Sequence, residues 1–248
     1  MFDLINRLLI AIEEAGWTDT LYNASLYIII VTVIVWSLLF SRKMGMKVYK
    51  GLIVGALAYL FVYYWMVFYA LVSNGFQPYM GMNNLFSFVY TPLFLWLVAK
   101  IFKLSWTDTC YLIAPMMPLQ QAIAMGECIF GNCCRGYPCS WGIYSVRWDY
   151  YYFPIQQINV ILNFAIFIIL LLRARKNKYK PDPYQYPLML VMVGAPRFFI
   201  EFLHDNEKVF LGCSELGLYA LFMTAVGIAA IFIIKKKQSK KAVCDVQE

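Results

Sequence analysis

The chain has 248 residues, of which 62% are hydrophobic, 18% aromatic and only 14% charged, whereas soluble domains carry about 25% charged residues. Apolar runs of about 20 residues recur, so a soluble domain is excluded and spanning helices are expected. The net charge of +7 does not point to nucleic acid, because the basic residues sit in short tracts that end the apolar runs, the positive-inside pattern of a membrane protein.

In chain order, residues 1–20 place Ile5, Leu8, Leu9 and Ile12 at helical spacing among Asp3, Glu13, Glu14 and Asp19. This predicts an amphipathic helix lying on the outer surface. A cleaved signal peptide is not expected, since the first charge is Asp3 rather than a basic residue. The first span is expected over about 21–40, followed by Arg42, Lys43, Lys47 and Lys50. A second covers about 51–73 and leads into a polar loop, 74–84. A third covers about 85–102 with Pro92 inside it and Lys100 and Lys103 at its end. The fourth, about 109–130, carries Pro115 and Pro118, so it should be kinked or interrupted with its released backbone groups facing protein or water.

Residues 131–154 form a long outer segment, a length that is more often functional or membrane-dipping than idle. Its Tyr150, Tyr151, Tyr152 and Trp148 suit a belt at headgroup level. The fifth span is about 155–172 with five basic residues after it, the sixth about 185–203, and the seventh about 214–234, ending in a basic tail. Sixteen of the 21 Lys and Arg then lie on one side, four on the other (Arg7, Arg135, Arg147, Lys208), and Arg197 lies within a span. The expected fold is therefore all-α: a single membrane domain over 1–248, with an interfacial helix at 1–20, a seven-span bundle at 21–234 and a cytoplasmic tail at 235–248. The amino terminus is expected outside.

Arg197 and Glu201 stand four residues apart in the sixth span, so on a helix they share a face and can form a charge-assisted hydrogen bond. A lone charge at the centre of a span costs roughly 2.5–3.5 kcal/mol, and charges kept there usually pair beside a polar cavity. Pro196 also frees the carbonyl of Met192 at the same spot. A purely structural pair that fixes helix packing is the plainer alternative. Arg197 and Glu127 both fall roughly 5–9 Å below the outer interface at 1.5 Å per residue, so they are expected to share a cavity open to the outer leaflet. Arg135, Arg147 and His204 would stand at its rim. Guanidinium groups at that depth suit a phospholipid phosphate, which Arg binds bidentately.

Cys133, Cys134 and Cys139 lack both C-x2-C spacing and a loop histidine, so no metal is expected. A disulfide such as Cys139 with Cys213 is expected in an oxidising exterior.

Three stretches together resemble the prolipoprotein diacylglyceryl transferases. They are Arg197-Phe198-Phe199-Ile200-Glu201-Phe202-Leu203, Gly131-Asn132-Cys133-Cys134-Arg135-Gly136 and Phe153-Pro154-Ile155-Gln156-Gln157. The resemblance implies a seven-span enzyme of the bacterial plasma membrane. It would move a diacylglyceryl group from phosphatidylglycerol to the lipobox cysteine thiol of a prolipoprotein, with no cofactor. Phosphatidylglycerol, the prolipoprotein signal peptide and membrane lipids are the partners it implies. It implies headgroup binding for Arg197, oriented by Glu201. His204 and Glu127 are the candidate bases, and Arg135, Gly136, Asn132, Arg147 and Gln156 the candidate substrate-binding residues. The chain departs from the family pattern at three places: residues 81–95 hold no His, the signature's Gly-Arg falls on Ala124-Met125, and Phe153 stands where the family has His. Those departures leave open a non-catalytic relative that binds a phospholipid or lipopeptide. A small transporter using Arg197 and Glu127 is disfavoured, because no internal repeat or paired broken helices mark the two halves.

Overall fold

The computed structural model describes residues 2–73, 85–131, 134–145, 149–205, 207–210 and 212–244. The elements run α1 (Phe2–Glu14), α2 (Thr18–Lys43), α3 (Val48–Ser73), α4 (Leu85–Ile101), α5 (Trp106–Ile113), α6 (Met116–Gly131), β1 (Pro138–Ser145), β2 (Tyr150–Tyr152), α7 (Ile155–Lys176), α8 (Gln185–Glu201) and α9 (Glu215–Cys244). Four helices, α2, α3, α7 and α9, are long and apolar enough to cross a membrane. The bundle wears its apolar side chains outward as well as inward: Leu93, Ile161 and Phe232 are exposed. A lipid-facing surface has that character, because lipid tails exert no hydrophobic penalty on it.

Without water in the bilayer core, a backbone group freed by a proline needs a partner from the protein, and at Pro92 the sequence supplies one. Pro92 lies inside α4 and cannot donate to the carbonyl of Phe88; the buried Tyr186 hydroxyl of α8 donates to it at 2.8 Å instead. The expected fourth span is two helices, α5 and α6, interrupted at Ala114 and Pro115. At that break the Trp36 indole of α2 donates to the carbonyl of Leu112 at 2.9 Å. Glycine sets the crossing of α8 and α9. A Cβ at Gly194 of α8 would lie 2.5 Å from Thr224 Oγ1 and 2.8 Å from the Ala220 carbonyl of α9, so α8 and α9 pack with backbones nearly touching.

The segment expected on the outer side departs from the all-α expectation. β1 and β2 pair antiparallel, with Ile143 opposite Tyr152 and Ser145 opposite Tyr150. The tyrosines do not form one belt: Tyr151 is exposed, while Tyr152 is buried and its hydroxyl donates to Gln156 Oε1 at 3.1 Å. The reason is strand alternation, which sends successive side chains to opposite faces. Trp148 and loop 74–84 lie outside the described residues. α1 rests on this hairpin through Asn6, which is buried.

Candidate functional site

The carboxyl-terminal end of α8 organises the site. Arg197 Nη2 lies 2.9 Å from Glu201 Oε2, one turn along the same helix face, and both side chains are buried, with 9% and 2% exposed. The other carboxylate oxygen, Oε1, accepts a 2.8 Å hydrogen bond from the Ser214 hydroxyl. Ser214 precedes α9 as its cap, and its oxygen accepts the Gly217 N–H at 3.2 Å. Glu201 is thus clamped between two helices and holds Arg197 in one orientation. Gly217 leaves room for it: a Cβ there would lie 3.3 Å from Glu201 Cγ. Arg197 Nη1 is buried and has no hydrogen-bond partner among the described residues. A guanidinium N–H so placed is a donor waiting for an acceptor.

His204 follows the end of α8, 1% exposed, and neither ring nitrogen has a hydrogen-bond partner among the described residues. Burial, then the positive charge of Arg197, push its pKa below the ordinary imidazole value, so the ring is held neutral. Its backbone forms a bridge with Gly136. Flanking it, the Tyr137 N–H donates to the Leu203 carbonyl at 3.2 Å and the Asp205 N–H to the Arg135 carbonyl at 3.1 Å. Gly136 is required there because a Cβ would lie 2.5 Å from the Phe153 carbonyl. Lys208 turns back over the helix end, donating to the Glu201 and His204 carbonyls at 3.1 and 3.2 Å, a charge match for the negative end of the helix dipole.

Four of the expected residues, Arg197, Glu201, His204 and Gly136, come together, while the side chains of Glu127, Arg135 and Gln156 have partners elsewhere. Among the described residues, neither recess found is lined by both Arg197 and Glu127, which were expected to share one. Glu127 faces α2, where its carboxyl takes a hydrogen bond from Ser25. Arg135 turns its guanidinium to the hairpin and donates to the Tyr150 hydroxyl at 2.7 Å. Gln156 is fully buried between the Tyr152 hydroxyl and the Cys128 carbonyl, to which it donates at 3.0 Å. Asn132 and Arg147 lie outside the described residues. A shallow dimple lined by Phe198, Glu201, Phe202, Cys213, Ser214 and Gly217 borders Glu201 and is too narrow to admit a water molecule. Phe202 at its wall is exposed, as are Phe199 and Leu203 on the same end of the helix. Cys139 carries a free thiol, directed at the Trp141 carbonyl, so the expected bridge to Cys213 is absent. Ser214 and Lys208 were not among the expected residues; a serine at the start of the last span is the one signal that could have marked the first.

The family model described as prolipoprotein diacylglyceryl transferase matches residues 44–233, most of the chain and all of this cluster. The chain belongs to that family. Two curated relatives bear on it. One, described as phosphatidylglycerol–prolipoprotein diacylglyceryl transferase, from Tolumonas auensis, is 31% identical over 150 residues, 60% of this chain and 54% of the relative. The other, described as phosphatidylglycerol–prolipoprotein diacylglyceryl transferase 2, from Clostridium perfringens, is 23% identical over 137 residues, 52% of this chain and 53% of the relative. The matches thus span about half the length of the relatives. The family is membrane-embedded, in keeping with the apolar helices of this chain.

Proposed function

We propose that this protein transfers a diacylglyceryl group from phosphatidylglycerol to the cysteine thiol of a prolipoprotein, and that Arg197 binds the lipid phosphate. The observation that carries the reading is the buried Nη1, without a hydrogen-bond partner among the described residues, of a guanidinium fixed by Glu201 and Ser214 on the helix end that exposes Phe199 and Phe202. A phosphate oxygen would complete that donor set. In the reaction the peptide sulfur attacks the glycerol carbon that bears the phosphate. The C–S bond forms, the C–O bond breaks with its electron pair passing to glycerol phosphate, and the thiol proton goes to a base. Arg197 stabilises the negative charge of the leaving group. His204, whose ring nitrogens have no hydrogen-bond partner among the described residues, is the base this geometry favours over Glu127, which is committed to Ser25.

The distribution of Lys and Arg supports seven spans with the amino terminus outside and the tail in the cytoplasm. In this reading α4, the α5–α6 pair and α8 supply the crossings beyond the four long helices. A reporter fused to the carboxyl terminus and found active outside would reverse that orientation.

The deciding experiment uses the full chain in vesicles containing labelled phosphatidylglycerol and a cysteine-bearing prolipoprotein peptide. Label should pass to the peptide, and Arg197→Ala should abolish transfer while the protein stays folded. Transfer that survives the substitution removes Arg197 from the reaction. A second reading, a non-catalytic relative that binds phospholipid or lipopeptide, is favoured by Ala124, Met125 and Phe153 at positions where the resemblance expects Gly, Arg and His. It predicts retention of labelled lipid, lost in Arg197→Ala, with no transfer.

A further inference from the structure

Lys208 is a partly buried lysine in the stretch between α8 and α9. Its ammonium donates to the Glu201 and His204 carbonyls at 3.1 and 3.2 Å, and a lysine has a third N–H to offer. Among the described residues it pairs with no carboxylate, because the Glu201 carboxylate is taken by Arg197 and Ser214. The charges of this cluster therefore do not cancel: Arg197 and Lys208 are cations and Glu201 is the one anion between them. The His204 ring adds no charge in neutral solution, since burial and then Arg197 push its pKa below the ordinary value. Asp205 and Glu207 are both exposed, so water screens them.

The surroundings of the ammonium point to what it meets. Nearby along the chain are exposed apolar side chains, Phe202 and Leu203 before it and Val209 and Phe210 after it. A cation set among exposed apolar side chains past the end of a helix matches the headgroup level of a bilayer, where apolar groups meet lipid tails and lysine meets phosphate. No cavity is asked of the protein, because a headgroup reaches this ammonium from the surface. Phospholipid headgroups share a negatively charged phosphate, but some carry a positively charged amine as well. Beside an uncancelled positive charge in a low dielectric, the phosphate is attracted and the amine repelled.

We propose that Lys208 is a specificity-determining residue, which selects phospholipids with a net negative headgroup over zwitterionic ones. The proposal rests on the reading of Arg197 as the phosphate-binding group; Lys208 adds the charge that tells one headgroup from another.

The test uses the full-length chain in micelles of a non-ionic detergent, loaded with fluorescent phosphatidylglycerol. Three unlabelled lipids compete with the label: phosphatidylglycerol, phosphatidylethanolamine and N-acetyl-phosphatidylethanolamine, which keeps the ethanolamine but not its charge. Wild-type protein should yield the label to phosphatidylglycerol at roughly tenfold lower concentration than to phosphatidylethanolamine, and N-acetylation should recover most of that difference. An N-acetylated lipid that competes no better than phosphatidylethanolamine overturns the proposal, as does a label that none of the three displaces. This comparison needs no variant, so it stands even if a substitution unfolds the chain. Lys208→Gln keeps N–H donors for the two carbonyls but removes the charge, and should shrink the preference to about twofold. Lys208→Arg should keep it. A preference untouched in Lys208→Gln, or lost equally in both variants, leaves Lys208 as a structural cap of α8 and refutes its role in selection. Transfer of the diacylglyceryl group to a cysteine-bearing prolipoprotein peptide is measured on the same samples. Charge preference without transfer sinks the transferase and leaves the role of the lysine, and transfer without charge preference does the reverse.

Discussion

Asp3–Arg7 on α1 and Arg197–Glu201 on α8 are the same local object, a carboxylate and a guanidinium four residues apart on a helix. Their separations are 3.1 and 2.9 Å. The side chains of the first are 77% and 79% exposed, those of the second 9% and 2%. In water the pair on α1 gains little, because solvent screens it and holding two long side chains together costs entropy. On α8 neither charge has water to return to, so each is tolerated only because the other is there. Identical spacing therefore means a solvent-screened surface pair in one place and a buried, mutually dependent pair in the other.

The largest expected break in this symmetry is Glu201→Ala. It strands Arg197 in the interior and should cost about 3–5 kcal/mol of stability, read as a fall in the thermal unfolding midpoint in detergent. Asp3→Ala should leave that midpoint unmoved; equal shifts would dissolve the contrast. Gly136→Ala comes next, at about 1–3 kcal/mol, since its new methyl group would press on Phe153 and loosen the bridge to His204. Limited proteolysis between residues 134 and 145 should reveal the loosening, and a wild-type cleavage pattern would argue against it. Ser214→Ala removes both the clamp on Glu201 and the cap of α9, at about 1–2 kcal/mol. In the transfer assay it should slow turnover rather than abolish it, because Arg197 keeps Glu201.

The smallest effect is one of pH. The folded protein holds the His204 pKa below its ordinary value of 6.5, through burial first and Arg197 second. The unfolded chain therefore binds the proton more readily, and stability rises with pH across this range. The contribution is fully present above pH 6.5 and drains away as pH falls through that value toward the lower folded one. Unfolding midpoints taken from pH 7.5 to 5.5 should decline, and His204→Asn should flatten the slope. An unaltered slope in the variant would place the titrating group elsewhere.

Much of this molecule is legible in one dimension. Apolar run length marks the helices, because a bilayer demands about 20 apolar residues per crossing. The spacing of Arg197 and Glu201 implies their pairing, because 3.6 residues per turn put i and i+4 on one face. The proline in α4 announces a freed carbonyl, but only the fold shows that Tyr186, far along the chain, answers it. The same limit explains the misplaced site residues. Glu127 and Arg135 lie at suitable depths along their own segments, yet depth along a helix says nothing about rotation around it. That rotation turns Glu127 to Ser25, and the fold of the outer segment turns Arg135 to Tyr150. Hydropathy likewise cannot reveal that Pro138–Ser145 and Tyr150–Tyr152 pair as strands with Asn6 bonded to one edge, since the bonds of Asn6 join residues 136 and 138 positions apart. Local periodicity sets which faces are apolar, and long-range packing alone decides which polar groups meet.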